Sequence, residues 1–213
     1  MLEMYTEPLS DNFGYDRGTP IDRHYIKMFL DSHADLIVGH SLEVKDDRYS
    51  QLYTDKLAKS SVVDIKNNNP LADIVADLTI PESLPSSSFD CIFLTQTVQY
   101  FTDIGSGLKN CYQALRPGGT VFITTPALGR LCRRDPDADL WRFTPAGFDR
   151  VLAEHWEGTY TAVTRGNLRA SVGQLIGAAA EELGLDALAD DDPRFPLLMC
   201  VVARRPAADA SSA

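Results

Sequence analysis

Residues 89–126, FDCIFLTQTVQYFTDIGSGLKNCYQALRPGGTVFITTP, constrain the fold more than any other stretch. Phe89 to Thr95 is a short apolar run, the pattern of a strand buried on both faces of a parallel sheet. Asp103 is placed to cap a helix in which Leu108, Cys111, Tyr112 and Leu115 recur at helical spacing. Pro117-Gly118-Gly119 is expected to stop that helix and turn the chain. Thr120 to Thr124, β-branched and aromatic, reads as the next strand. Two parallel strands need a crossover between them, and this block supplies one complete unit.

The rest of the chain repeats that alternation. Further strands are expected at Ser41 to Val44, Ser60 to Ile65, Asp73 to Ala76, Tyr160 to Thr164 and Phe195 to Ala203. Helices are expected from Ile21 (with Tyr25, Met28 and Phe29 on one face), from Thr144-Pro145, and over Leu168 to Leu183. Strands separated by helices give an α/β, doubly wound, mostly parallel sheet of seven strands. A length of 213 residues suits one domain with a sizeable core, drawn here as 1–205, with 1–38 as an N-terminal lid and helix. The tail 206–213 lacks apolar content and is expected to be disordered.

The formal charge of −10 argues against a nucleic-acid surface, which needs clustered Lys and Arg, and against an anionic membrane surface. No apolar run reaches membrane-spanning length and the first residues lack a signal-peptide pattern, so a cytoplasmic protein is expected. The four cysteines are scattered, without CxxC spacing or interleaved histidine, and no metal site is expected. The expected partner is a small molecule.

The FD…LxPGG…P wording of residues 89–126 resembles the second half of a class I S-adenosylmethionine-dependent methyltransferase domain. DRGTPIDRHYI, LTQT, LWRFTP, Gly166-Asn167 and DPRFP extend the resemblance over residues 16–203, toward a divergent subfamily associated with glycan and secondary-metabolite clusters. The resemblance implies a Rossmann-like methyltransferase fold, S-adenosylmethionine as cofactor, and transfer to a small polar acceptor such as a sugar hydroxyl. It also implies roles for particular residues. Glu43, the acidic residue of the first strand, is implied as a cofactor contact. Asp64, after the second, accepts from the ribose hydroxyls; Asp77 and Leu78, after the third, meet the adenine. Thr95 and Gln96 leave the fourth strand where substrate and sulfonium meet.

One departure stands out. Lys45, Asp46, Asp47, Arg48 and Tyr49 occupy the place of the family's glycine-rich turn. Asp46 or Asp47 and Lys45 or Arg48 are able to pair with the ammonium and carboxylate of the cofactor's amino-acid end, or the run is a solvated charged turn. On the N-terminal segment, Asp22 and His24 are candidate general bases, and Arg17, Arg23 and Tyr25 candidate substrate contacts. Trp141 offers an aromatic wall for a sugar, or anchors its loop on the core. The missing glycines leave an alternative: a methyltransferase fold that has lost methyl transfer and serves as a partner or regulator of a biosynthetic enzyme, or as a different enzyme.

Overall fold

The computed structural model describes residues 6–133 and 136–208; the expected tail lies mostly outside them, at 209–213. The seven expected strands form: β1 Gly39–Val44, β2 Leu57–Asp64, β3 Ile74–Val75, β4 Phe89–Thr95, β5 Leu115–Pro126, β6 Thr159–Arg165 and β7 Leu198–Arg204. They make one sheet in the order β3-β2-β1-β4-β5-β7-β6, with β7 antiparallel to both neighbours and every other pairing parallel. The order reverses between β1 and β4. In an open parallel sheet the crevice beyond the carboxyl ends of the strands at such a reversal is where a ligand enters.

Alternation along the central strands divides the core in two. Leu42, Val63, Ile92, Leu94, Val121 and Ile123 face α2 (Ile104–Ala114) and α3 (Pro145–His155), meeting Leu108, Cys111, Phe148 and Leu152. Cys91, Phe93, Phe122 and Cys200 face the other way, onto Ile21, Tyr25, Ile26 and Phe29 of α1 (Ile21–Asp31). Phe122 stacks on Phe93 and meets Phe29 edge-on, at centroid distances of 5.6 and 6.3 Å. Each such fully buried ring contributes about 1.5–3 kcal/mol of transfer free energy. Burial also pushes the Cys91 and Cys111 thiols up to about 12, so they are apolar filler at neutral pH.

The caps follow local chemistry. Asp103 accepts from the Ser106 amide at 2.9 Å to start α2. Thr144 accepts from Gly147 at 3.1 Å with Pro145 in the first turn of α3, and Asn167 accepts from Ala170 at 2.9 Å to start α4, Leu168–Ile176.

Two expectations need correcting. The helix over Leu168 to Leu183 is broken: α4 ends at Gly177, which takes φ 74°, and a short α5 covers Ala180–Leu183. A Cβ on Gly177 would lie 2.6 Å from the Ser10 carbonyl oxygen, so the break lets the N-terminal segment pass close by. Pro117-Gly118-Gly119 does not precede its strand but lies inside it. β5 already pairs Leu115 with Phe89, and the register jumps before Cys91 meets Thr120, so the glycines form a bulge.

The connections after β1 and β2 differ from the usual crossover. Residues 45–56 carry only a 3-10 turn, Ser50–Tyr53, and residues 65–73 carry no helix. The run Lys66-Asn67-Asn68-Asn69-Pro70 explains the second case, since asparagine and proline favour turns over helix.

Residues 9–20 cross the carboxyl edge of the sheet as a strap. The Leu9 amide donates to the Ile176 carbonyl at 2.7 Å, and the Thr19 amide to Glu181 at 2.9 Å. Arg48 donates to the Tyr15 hydroxyl at 2.6 Å, and Arg133 to Asp11 at 3.3 Å. The strap therefore touches the connections after β1 and β5 as well as α4 and α5.

Candidate functional site

The site is built at the β1/β4 reversal. Thr95 pairs with Thr124 at the end of β4, and the next residue, Gln96, takes φ 51°. A non-glycine residue adopts that conformation only when its surroundings hold it there. Here the Gln96 amide donates to the Thr124 carbonyl at 2.8 Å. Its side chain donates from Nε2 to Asp22 Oδ2 at 3.2 Å and accepts from Gln99 Nε2 at 3.1 Å. Thr125 Oγ1 donates to Gln99 Oε1 at 3.4 Å, so one polar chain links α1 to the ends of β4 and β5. Gln99, only 4 % exposed, is a member that sequence reasoning missed.

Asp22 is buried and also accepts from the Arg23 amide at 2.8 Å. Arg23 runs the other way, donating from Nη1 to the Tyr49 hydroxyl at 3.2 Å. Its Nε is buried without a hydrogen-bond partner, 3.7 Å from Asp22 Oδ2. Burial opposes the Arg23 charge, but Asp22, Tyr49 and Tyr15 outweigh it and hold the guanidinium protonated.

The connection after β1 has an unexpected form. Lys45 sits at φ 76°, the left-handed conformation glycine normally supplies, while its amide donates to the Val63 carbonyl at 2.8 Å. The backbone bend is thus kept without a glycine. Glu43 is 1 % exposed and turned inward, accepting from the amides of Tyr49 at 3.0 Å and Ser50 at 2.8 Å. It organises the 3-10 turn. Desolvation pushes its carboxyl up to about 7, partly opposed by the amides of Ser50 and Tyr49. Asp46 accepts from the Arg48 amide at 3.3 Å, Lys45 is exposed, and Tyr49 is buried against the core.

Beyond β2 and β3 stand two more carboxylates. Asp64 accepts from the Lys66 amide at 2.9 Å and from Asn69 Nδ2 at 2.7 Å. Asp77 accepts from the Thr79 amide and hydroxyl at 2.8 and 2.7 Å, both on Oδ1. Its Oδ2 and the neighbouring Leu78 amide have no hydrogen-bond partner among the described residues.

The other candidates lie apart from this cluster. His24 is half-buried near Glu181; burial lowers its pKa and Glu181 pulls the other way. Arg17 pairs with Glu182, with Nε to Oε2 at 3.0 Å. Tyr25 is 1 % exposed, inside the core, and burial pushes its phenol up to about 12. Trp141 donates from its indole to the Phe101 carbonyl at 2.9 Å and stacks on Phe143, yet stays 42 % exposed. Arg130, in the connection after β5, was also missed. Its guanidinium lies 4.3 Å from the Phe13 ring centroid, and Nη2 is buried without a partner. Inspecting every residue just beyond a predicted strand would have reached it.

Residues 38–123, the part holding β1 to β4 and most of β5, match a family described as a methyltransferase domain. Solved structures extend the likeness across the sheet. The chain carries the Rossmann-like methyltransferase fold. A SAM-dependent methyltransferase from Archaeoglobus fulgidus is 13 % identical, with a TM-score of 0.57 over 86 % of this chain and 94 % of that one. The [4+2]-cyclase SpnF is 14 % identical, with a TM-score of 0.60 over 95 % of this chain and 87 % of that one. Phosphoethanolamine N-methyltransferase 2 of Haemonchus contortus, in complex with S-adenosyl-L-methionine, is 14 % identical, with a TM-score of 0.56 over 95 % of this chain and 54 % of that one. No curated protein matches the chain in sequence.

Proposed function

We propose that the chain is an S-adenosylmethionine-dependent methyltransferase whose acceptor is a small polar molecule, a sugar or secondary-metabolite hydroxyl. The observation that carries this reading is the pair Asp77-Leu78 beyond β3, with Asp77 half-buried and Leu78 buried. A carboxylate oxygen and a backbone amide, adjacent and without a partner among the described residues, match the amino donor and ring-nitrogen acceptor of an adenine. Asp64, one strand nearer the centre, is the acceptor for a ribose diol. The residues present therefore fit the nucleoside part of the cofactor.

When bound, S-adenosylmethionine supplies a methyl group already activated on its sulfonium. The protein's task is then alignment and exclusion of water. Gln96, held by Thr124, Asp22 and Gln99, fixes the polar surface at the end of β4. Asp22 Oδ2 is the carboxylate oxygen in that cluster able to take the proton an acceptor hydroxyl gives up. The strap over residues 9–20 serves as the lid, and Trp141 as an aromatic wall toward the acceptor.

The test is binding of S-adenosylhomocysteine to Asp64→Ala and Asp77→Ala. Each loses a charged acceptor, worth about 1.5–3 kcal/mol or roughly 10- to 150-fold in affinity. Wild-type affinity in both folded variants would refute the placement. A second reading, a fold that has lost methyl transfer, draws on Glu43 being spent on the Tyr49 and Ser50 amides and on the buried Tyr49. It predicts no binding to the unmutated protein.

A further inference from the structure

The two edges of the sheet end differently. β3 is blunted by its length, since Ile74–Val75 is only two residues. β6, TYTAVTR, runs for seven residues beside β7 with no bulge, proline, lysine or carboxylate, and its one charge, Arg165, stands at the last position. Alternate residues of an edge strand turn their N–H and C=O groups outward. Among the described residues, no backbone bond outside the β7 ladder reaches Thr159 to Thr164. A groove of about 700 Å³ opens along this edge, and its walls include both Ala162 and Val163. Neighbouring residues of a strand point to opposite faces, so a groove that meets both lies at the strand's open side.

The helix that follows β6 is inverted. An amphipathic helix of a globular protein normally buries its apolar stripe. α4 instead buries Ala170, Ser171, Gly173 and Gln174 and leaves Leu168, Val172 and Leu175 exposed, each by 42 % or more. Steps of four and three residues put these three on one stripe. Val163, itself exposed, is opposite Cys200 in the ladder and so points to the α1 side of the sheet. That is the side on which α4 packs, through Ala170. β6 and the α4 stripe thus offer apolar surface on the same side of the sheet.

We propose that this surface binds a second copy of the chain, with β6 pairing antiparallel to β6 of that copy and the α4 stripes covered beside it. Pairing about a two-fold axis at Ala162 is self-complementary. Thr161 then faces Val163 of the second copy and Tyr160 faces Thr164, joining β-branched and aromatic side chains. Arg165, oriented by Asp191 at 2.7 Å, comes diagonal to the exposed Glu157 of the second copy. No like charges oppose each other between the two strands. The chain's charge of −10 repels a second copy, and this strand, free of carboxylates, is a place where that repulsion is weakest. β7 and β5 separate this edge from the β1/β4 reversal, so the pairing is independent of the methyltransferase reading.

Sedimentation velocity and light scattering, read over a range of protein concentrations, compare the wild type with Thr161→Lys, Val172→Glu and the control Val75→Lys at the opposite edge. All three positions are exposed, so each variant is expected to keep the wild-type circular dichroism. The wild type and Val75→Lys are expected to be dimers. Thr161→Lys and Val172→Glu are expected to sediment as monomers, because each places an unpaired charge in the interface. A wild type that stays monomeric at every concentration, the mark of a surface kept for a different protein, would overturn the proposal. So would a dimer that persists in either interface variant, or one that Val75→Lys also dissociates. Should an interface variant fail to fold, Thr159→Lys, which sets a lysine opposite Arg165 of the second copy, or Leu168→Glu on the α4 stripe is expected to show the same loss.

Discussion

Replacing Glu43 by glutamine tests how the connection after β1 is held. The carboxyl is 1 % exposed, accepts from the Tyr49 and Ser50 amides, and sits at about 7 against an ordinary value of 4.5. A folded-state value above the unfolded one means the native state binds the proton more tightly. Its contribution to stability is therefore complete below the unfolded value and is lost as pH rises through about 7. At about 1.36 kcal/mol per pH unit, the difference is on the order of 3 kcal/mol between pH 4.5 and 7. Glutamine keeps an acceptor oxygen for the two amides and carries no charge, but its buried NH₂ lacks a partner and costs about 1–3 kcal/mol. Urea denaturation at pH 5, 6, 7 and 8 is expected to show the wild type ahead at pH 5. The gap should shrink steadily and close, or reverse, by pH 8. Parallel stability profiles for the two proteins would show that the amides keep Glu43 ionised throughout, and the reasoning would fail.

Two further substitutions probe the backbone. Lys45→Gly relieves a left-handed residue at φ 76° and should stabilise by about 1 kcal/mol, a rise of about 2–4 °C in the thermal midpoint; a lower midpoint would show that the lysine side chain matters more than its strain. Gly177→Ala meets both φ 74° and the Ser10 carbonyl, so it should destabilise by at least ~1 kcal/mol and speed proteolysis within the strap, whereas an unchanged digestion pattern would mean the strap does not depend on that close approach.

Much of the architecture was legible because it depends on local patterns. Apolar runs located the strands, and Asp103 and Thr144 start their helices with a side-chain oxygen at the cap. What escaped depends on tertiary contact. Gly177 read as one more small residue in a helix, and only the passing strap explains its break. The bulge at Gly118-Gly119 needed the partner strand β4 to be seen. The charged run from Lys45 to Tyr49 read as either solvated or ligand-facing, yet it is neither uniformly: Tyr49 turns into the core while Lys45 stays exposed. Glu43 was legible as the acidic residue ending its strand, but its turn toward the Tyr49 and Ser50 amides was not. Arg130 acquires meaning only from Phe13 and an unmatched N–H, neither of which has a linear signature.

We propose that the crevice beyond β1 to β4 holds S-adenosylmethionine. Calorimetric titration of the purified chain tests it most directly. The predicted result is saturable binding of one cofactor per chain with a dissociation constant between roughly 1 μM and 1 mM, the range in which enzyme substrates fall. No heat of binding, with no thermal shift at millimolar ligand, would contradict it.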